Sequence, residues 1–126
     1  MNAKYLKQWC LFLVMSLLSA LSFGRQAEPL VADSIPVASL PSEARQALAQ
    51  VRRGPPYAYA KDGVAFGNHE RLLPKQPRGY YREFTVRTAG SRNRGARRLI
   101  IGGTPAASSE IYYTADHYAS FIRVQE

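Results

Sequence analysis

Glu83, Arg94, Arg98 and His117 are a set of residue types able to break a phosphodiester bond without a metal ion. A carboxylate can take the proton from a ribose 2′-hydroxyl, and an imidazolium can give one to the departing 5′-oxygen. Negative charge then builds on the phosphoryl oxygens, and guanidinium groups meet it with paired donors. Taken singly, each residue has an ordinary structural explanation. A strand glutamate beside an arginine is commonly one half of a cross-strand ion pair. Asp116-His117-Tyr118 reads as a polar turn, and Arg92 to Arg98 as a solvated basic loop. Metal chemistry has little to draw on. His69 and His117 are not spaced as a helical ligand pair, and Cys10 is the lone cysteine, so no Cys/His cluster exists to hold zinc and no cofactor is expected.

These side chains need a scaffold, and the period of the apolar residues indicates which. Leu40, Ala44, Ala47, Leu48 and Val51 recur at helical spacing and form one stripe. Pro41 and Ser42 open this helix, Glu43 sits in its positively polarised first turn, and Gly54-Pro55-Pro56 stops it. After Gly79 the period changes to two. Phe84 and Val86 share one face of a strand, and Glu83, Thr85 and Arg87 share the other. In Arg97 to Ile101, Leu99 and Ile101 lie opposite Arg98. Ile111 to Thr114 and Ser120 to Val124 supply two more short runs. Turn signals at Asp62-Gly63, Pro77-Arg78-Gly79 and Ala89-Gly90 separate the segments. The expected fold is α+β: one main N-terminal helix packed on a twisted antiparallel sheet. The other sheet face, with Glu83 and Arg98, is expected to be open to water.

At 126 residues there is room for one modest core. The composition is ordinary for a globular protein, with 46% hydrophobic and 21% charged residues, but 17 Lys and Arg against 9 Asp and Glu give a net charge of +8. That balance favours a polyanionic partner, either nucleic acid or an anionic membrane surface. The N-terminus resembles a signal peptide. Lys4 and Lys7 precede an apolar run from Trp9 to Leu21, followed by small residues at Ser19, Ala20 and Ser22. The run is short for a membrane anchor. Residues 1–27 are therefore expected to be removed, with a cut between about 20 and 27. Residues 28–39 would be a loose leader, and 40–126 the folded domain of a secreted protein. Without Lys4, Lys7 and Arg25 the count is 14 basic against 9 acidic, so the domain itself stays basic.

The segments PYAYAKDGVAFGNHE, LLP, GYYREFTVRTAG, RNRGARRLIIGG and YYTADHYASF, taken together, resemble the bacterial guanyl-specific, barnase-like microbial ribonucleases. The resemblance runs from about Leu40 to Val124 and implies a ribonuclease fold of one helix on an antiparallel sheet. It also implies roles by position. Glu83 would be the general base, His117 the general acid, and Arg94 and Arg98 the phosphate-binding arginines. Tyr118 would contact phosphate or base. In AFGNHE, Phe66 would stack on guanine, the backbone N–H groups around Asn68 and His69 would face its O6, and Glu70 would accept its N1–H and N2–H. The implied reaction cuts single-stranded RNA 3′ of guanosine through a 2′,3′-cyclic phosphate. The implied partners are single-stranded RNA and, as in relatives, a small acidic inhibitor of the barstar type, with the enzyme a monomer. Two positions depart from the family. His69 stands where the family has an arginine, and Ile101 stands where one branch has a disulfide cysteine. The Gly102 to Glu110 loop is also longer than the family pattern. A non-catalytic cationic module for RNA or membranes is the competing class, but Glu70 and Glu83 would repel phosphate there. An antibacterial toxin using the same chemistry carries the same motifs.

Overall fold

The computed structural model describes residue 31 and residues 33–126, so the expected signal segment lies outside the described residues. The chain forms strand β1 (Ser34–Pro36), a 3-10 turn (Val37–Ser39) and helix α1 (Ser42–Arg53). Strands β2 (Tyr81–Thr85), β3 (Arg98–Gly102), β4 (Ile111–Thr114) and β5 (Ile122–Gln125) follow. The strands make one sheet in the order β1-β5-β4-β3-β2. The pairs from β2 to β5 are antiparallel, as expected. The leader is a correction: 34–39 is not loose. Ile35 pairs with Val124 in a parallel register at the sheet edge, so the sheet is mixed. The Arg123 N–H donates to the carbonyl of Asp33 at 3.0 Å and ties this segment to the end of the chain.

Helix α1 begins after Pro41, which lacks the N–H that a helix start leaves unpaired anyway. It stops at Gly54, whose φ of 84° is a conformation that side-chain-bearing residues avoid. Its buried face is Ala44, Leu48 and Val51. These pack with Leu40 on Phe84, Val86, Leu99, Ile101, Ile111 and Val124, all buried. Truncating Leu48 in this layer would cost about 2–5 kcal/mol.

The opposite sheet face differs from the expectation that it would be open to water. The register places Tyr81, Glu83 and Thr85 of β2 beside Arg98 and Ile100 of β3, then Tyr112 and Thr114 of β4. One end of this face is apolar: Tyr81, Ile100 and Tyr112 form a second core with Leu73, and Phe66, Tyr80, Tyr118 and Phe121 pack around it. Burial holds the Tyr112 hydroxyl's pKa up at about 12 and raises that of Tyr81 further. Both phenols stay protonated, and their hydroxyls donate to Glu110 Oε1 and to the Pro74 carbonyl. The other end of the face is polar, with Glu83, Thr85, Arg98 and Thr114. The second core is thus the floor on which this polar row stands.

Candidate active site

Glu83 sits mid-strand in β2, and both its backbone polar groups are bonded on the outer side of the sheet. The Gly63 N–H donates to its carbonyl at 2.8 Å, and its own N–H donates to the Val64 carbonyl at 3.0 Å. The Phe66 N–H donates to the Tyr81 carbonyl at 2.9 Å, so residues 63–66 run along the outer edge of β2. Asp62 adds a side-chain staple, accepting from the Thr85 N–H at 2.7 Å. The loop that follows Phe66 is therefore anchored directly to the strand that carries Glu83.

The Glu83 carboxylate is largely buried and uses both oxygens. Oε1 accepts from Arg94 Nη2 at 3.3 Å, and Oε2 accepts from the Tyr118 hydroxyl at 2.8 Å. Arg94 is held a second time by its Nε, which donates to Thr85 Oγ1 at 2.9 Å. Arg98 is only 3% exposed, and its Nη1 donates to the carbonyls of Gly95 at 3.0 Å and Arg97 at 2.7 Å. Its Nε is buried and has no partner among the described residues. A buried guanidinium N–H without an acceptor is costly, and an anion seated beside it would remove that cost. The two arginines differ, therefore: Arg94 is a quarter exposed (25%) and paired, whereas Arg98 is walled in with a donor unspent.

His117 and Tyr118 occupy a turn after β4 with φ of 55° and 72°. Two successive non-glycine residues in the left-handed region cost about 1–3 kcal/mol each and need outside support. The His117 N–H donates to the Ala96 carbonyl at 3.0 Å, and the Tyr118 N–H to Thr114 Oγ1 at 3.1 Å. Asp116 organises the rest. It accepts from Thr114 Oγ1 at 2.8 Å, from the Ser120 N–H at 2.9 Å and from the Ser120 hydroxyl. The Ser120 hydroxyl, then its N–H, then the Thr114 hydroxyl hold the Asp116 carboxyl down at about 2. The exposed His117 ring rests against the Tyr118 ring, with centroids 4.7 Å apart. Tyr118 thus touches both members of the expected base and acid pair. Burial, and then donation to Glu83, push its own hydroxyl pKa up, while Arg98 pulls the other way.

The remaining non-glycine residues of positive φ among those described are in the loop after Phe66, Asn68 at 51° and Arg71 at 57°. The Asn68 side chain is spent inside its loop, donating to the Leu73 carbonyl at 2.9 Å and accepting from the Leu73 N–H at 3.1 Å. The backbone N–H groups of Asn68, His69 and Glu70 donate to no protein acceptor among the described residues. A pocket of about 160 Å³ is lined by Phe66, Asn68, His69, Glu70, Tyr118 and Phe121, together with Leu72. Phe66 stacks on Tyr118 at 5.1 Å and meets the edge of Phe121 at 5.9 Å. Arg94 and Tyr118 thus contact Glu83, His117 rests on Tyr118, Arg98 lies between Thr85 and Thr114 on the same sheet face, and Phe66, Asn68, His69, Glu70 and Tyr118 line the pocket.

Sequence reasoning passed over Thr85, Asp116 and Phe121, which position the others. Asp116 had a readable signal, since Thr114-x-Asp116 with Ser120 four residues on is a pattern for a capped turn. Strand alternation put Thr85 on the face of Glu83 without showing its bond to Arg94, and Phe121 had no signal outside the three-dimensional arrangement. No group of three or more metal-ligating side chains occurs among the described residues.

A family model described as ribonuclease matches residues 25–125. Guanyl-specific ribonuclease Sa3 of Kitasatospora aureofaciens is 54% identical over 86 residues, covering 68% of this chain and 59% of that relative, so the chain spans well under two thirds of its length. Guanyl-specific ribonuclease Sa of the same organism is 44% identical over 96 residues, 76% of this chain and 97% of the relative. A crystal structure of ribonuclease Sa2 with guanosine-2′-cyclophosphate matches with a TM-score of 0.67 and 43% identity, covering 74% of this chain and 96% of that one. With a family model spanning most of its length and a relative this similar along nearly all of its own, the chain belongs to the guanyl-specific ribonuclease family.

Proposed function

We propose that this chain is an endoribonuclease that cuts single-stranded RNA on the 3′ side of guanosine, first by transphosphorylation to a 2′,3′-cyclic phosphate and then by hydrolysis. The observation that carries this reading is the Glu83 carboxylate held between Arg94 Nη2 and the Tyr118 hydroxyl, on the same edge of the fold as the pocket of Phe66 and Glu70. Glu83 removes the 2′-hydroxyl proton, the oxyanion attacks phosphorus, and His117 protonates the leaving 5′-oxygen. In the second step the roles reverse: His117 activates water, and Glu83 protonates the 2′-oxygen as it leaves. Arg94 and the unspent Nε of Arg98 stabilise the charge that develops on the phosphoryl oxygens. Guanine offers a carbonyl oxygen beside two donors in one plane. The open N–H groups of residues 68–70 suit the first and the Glu70 carboxylate the other two. Stacking on Phe66 would add roughly 1–3 kcal/mol.

Several parts of the reading rest on the sequence alone. They are export through the segment before residue 28, action as a monomer, and a small acidic inhibitor attracted by the basic surface. The test is digestion of a defined RNA with end mapping, in the presence of a chelator. Cyclic phosphate ends after guanosine are expected, and DNA of the same sequence should stay intact because it lacks the nucleophile. Equal cutting after all four bases would remove the role given to Glu70.

A further inference from the structure

A second groove, of about 530 Å³, shares Phe66, Asn68 and His69 with the proposed guanine pocket. Arg71, Lys75 and Arg78 line it with Gly67, Gly79 and Tyr81. No carboxylate lines it. Arg71, Lys75 and Arg78 are exposed, and none has an ion pair or a side-chain hydrogen bond among the described residues. Arg52, Arg94 and Arg97, by contrast, are paired with acids, whereas Arg45, Arg87 and Arg92 share the unpaired state but do not line this groove. Arg71 has φ 57°, and Arg78 leads into Gly79 at φ 86°. Three unneutralised cations around one groove, with no acid, form a complementary surface for a string of phosphates.

We propose that this groove is a subsite for the RNA backbone on the 5′ side of the bound guanosine. The inference rests on the guanosine reading above. With the base beside Phe66 and Glu70, its 3′-phosphate goes to Glu83 and Arg94, and the downstream strand departs past His117. The 5′-oxygen is the remaining exit, and the wall shared by pocket and groove at Asn68 and His69 puts the groove within its reach. Upstream phosphates then meet Arg71, Lys75 and Arg78. The groove takes charge and not base sequence, so it lengthens the preferred substrate without changing the cleavage base.

The test compares three RNA substrates: the dinucleotide GpA, UUUUGA extended on the 5′ side, and GAUUUU extended on the 3′ side. The wild type is expected to show a higher kcat/KM on UUUUGA than on GpA. In the R71A/K75A/R78A variant, kcat/KM on UUUUGA should fall roughly tenfold at low salt, and its log–log salt slope should become shallower by about 2, as expected for three single-strand phosphate contacts. GpA and GAUUUU should stay within about twofold of wild type. An equal fall on all three substrates would show a diffuse basic field, and no fall on UUUUGA would show an unused groove; either overturns the proposal. If the wild type cuts none of the three substrates after guanosine, the guanosine reading fails instead. The groove is then judged by fluorescence anisotropy with UUUUGA carrying an uncleavable 2′-deoxyguanosine. Equal binding by wild type and variant would overturn it independently.

Discussion

The Tyr118 hydroxyl donates to Glu83 Oε2 at 2.8 Å, across 35 positions of sequence. The same ring stacks on Phe66 and carries the His117 ring on its flank. One side chain therefore links Glu83, His117 and the aromatic wall of the pocket, the proposed base, acid and guanine site. It is held in that place by a left-handed backbone and by the Thr114 hydroxyl on its N–H. Under the proposed function this arrangement would couple recognition to chemistry, because a nucleobase that shifts Phe66 would also shift the donor on Glu83.

Tyr118→Phe keeps the stack and removes the donor. A hydrogen bond from a phenol to a carboxylate holds that carboxylate in one position. Without it kcat should fall, with the stacking contribution to KM preserved. Tyr118→Ala should also raise KM, since the Phe66 wall loses its partner. A kcat for the phenylalanine variant equal to that of the wild type would show that the contact does not position Glu83.

Glu83→Ala and His117→Ala should each lower kcat by roughly 10²–10⁴-fold, the usual scale for a proton-transfer group. The double variant should be little worse than the poorer single one, because the two groups act on one transition state. Near-normal turnover by His117→Ala on RNA would remove this residue from the mechanism. Circular dichroism should show both variants folded, since His117 is exposed and Glu83 lies outside either apolar core.

Arg98 is the informative case for what a sequence shows and hides. Its place among five arginines in Arg87 to Arg98 reads as a solvated run, yet strand alternation already put it opposite Leu99 and Ile101. The alternation was the better guide, because sheet faces are set by period and not by composition. Helix α1 was legible for the same reason: its stripe, its proline start and its glycine stop are all local. Strand β1 was not. Ser34–Pro36 is three residues with no period of its own, and its pairing with β5 joins opposite ends of the chain. The second core escaped for a related reason. Leu73 lies in a loop, and only the folded chain brings it against Tyr81, Ile100 and Tyr112. Within the site, the residue types and spacing suggested the proposed reacting groups, whereas the contacts that fix them, Thr85 on Arg94 and Asp116 on the turn bearing His117, depend on approach in space.

Asp116 should make the acid turn sensitive to acid. Its folded pKa is about 2 against an ordinary 3.8, so the depressed value marks stability that is present above the unfolded pKa. That contribution is lost as pH falls from about 4 towards about 2. Asp116→Ala should therefore lower Tm at pH 7, and the gap to wild type should narrow over this window. Because Asp116 also fixes the turn that bears His117, kcat should fall in the variant at neutral pH. A Tm gap that stays constant from pH 7 to pH 2 would show that the carboxylate charge is not what holds the turn.

The departure at position 69 has a structural counterpart at Gly67. A Cβ placed on Gly67 would clash with His69 Nε2 and lie 2.8 Å from Cε1 and 2.9 Å from Cδ2. The imidazole rests against Gly67, and a side chain there would have to displace it. His69 nevertheless lines both the guanine pocket and the basic groove. A guanidinium at this position would be charged at every accessible pH and could reach outward. His69→Arg should therefore lower KM for RNA at neutral pH, with the larger gain at low salt, where the attraction is less screened. Gly67→Ala isolates the packing. It should dislodge the ring and change KM in the wild-type background but leave KM unaltered when His69 is already alanine. The coupling expected between touching residues is roughly 0.5–3 kcal/mol. If Gly67→Ala changes KM equally in both backgrounds, the glycine serves the loop backbone and the ring's position over it is incidental.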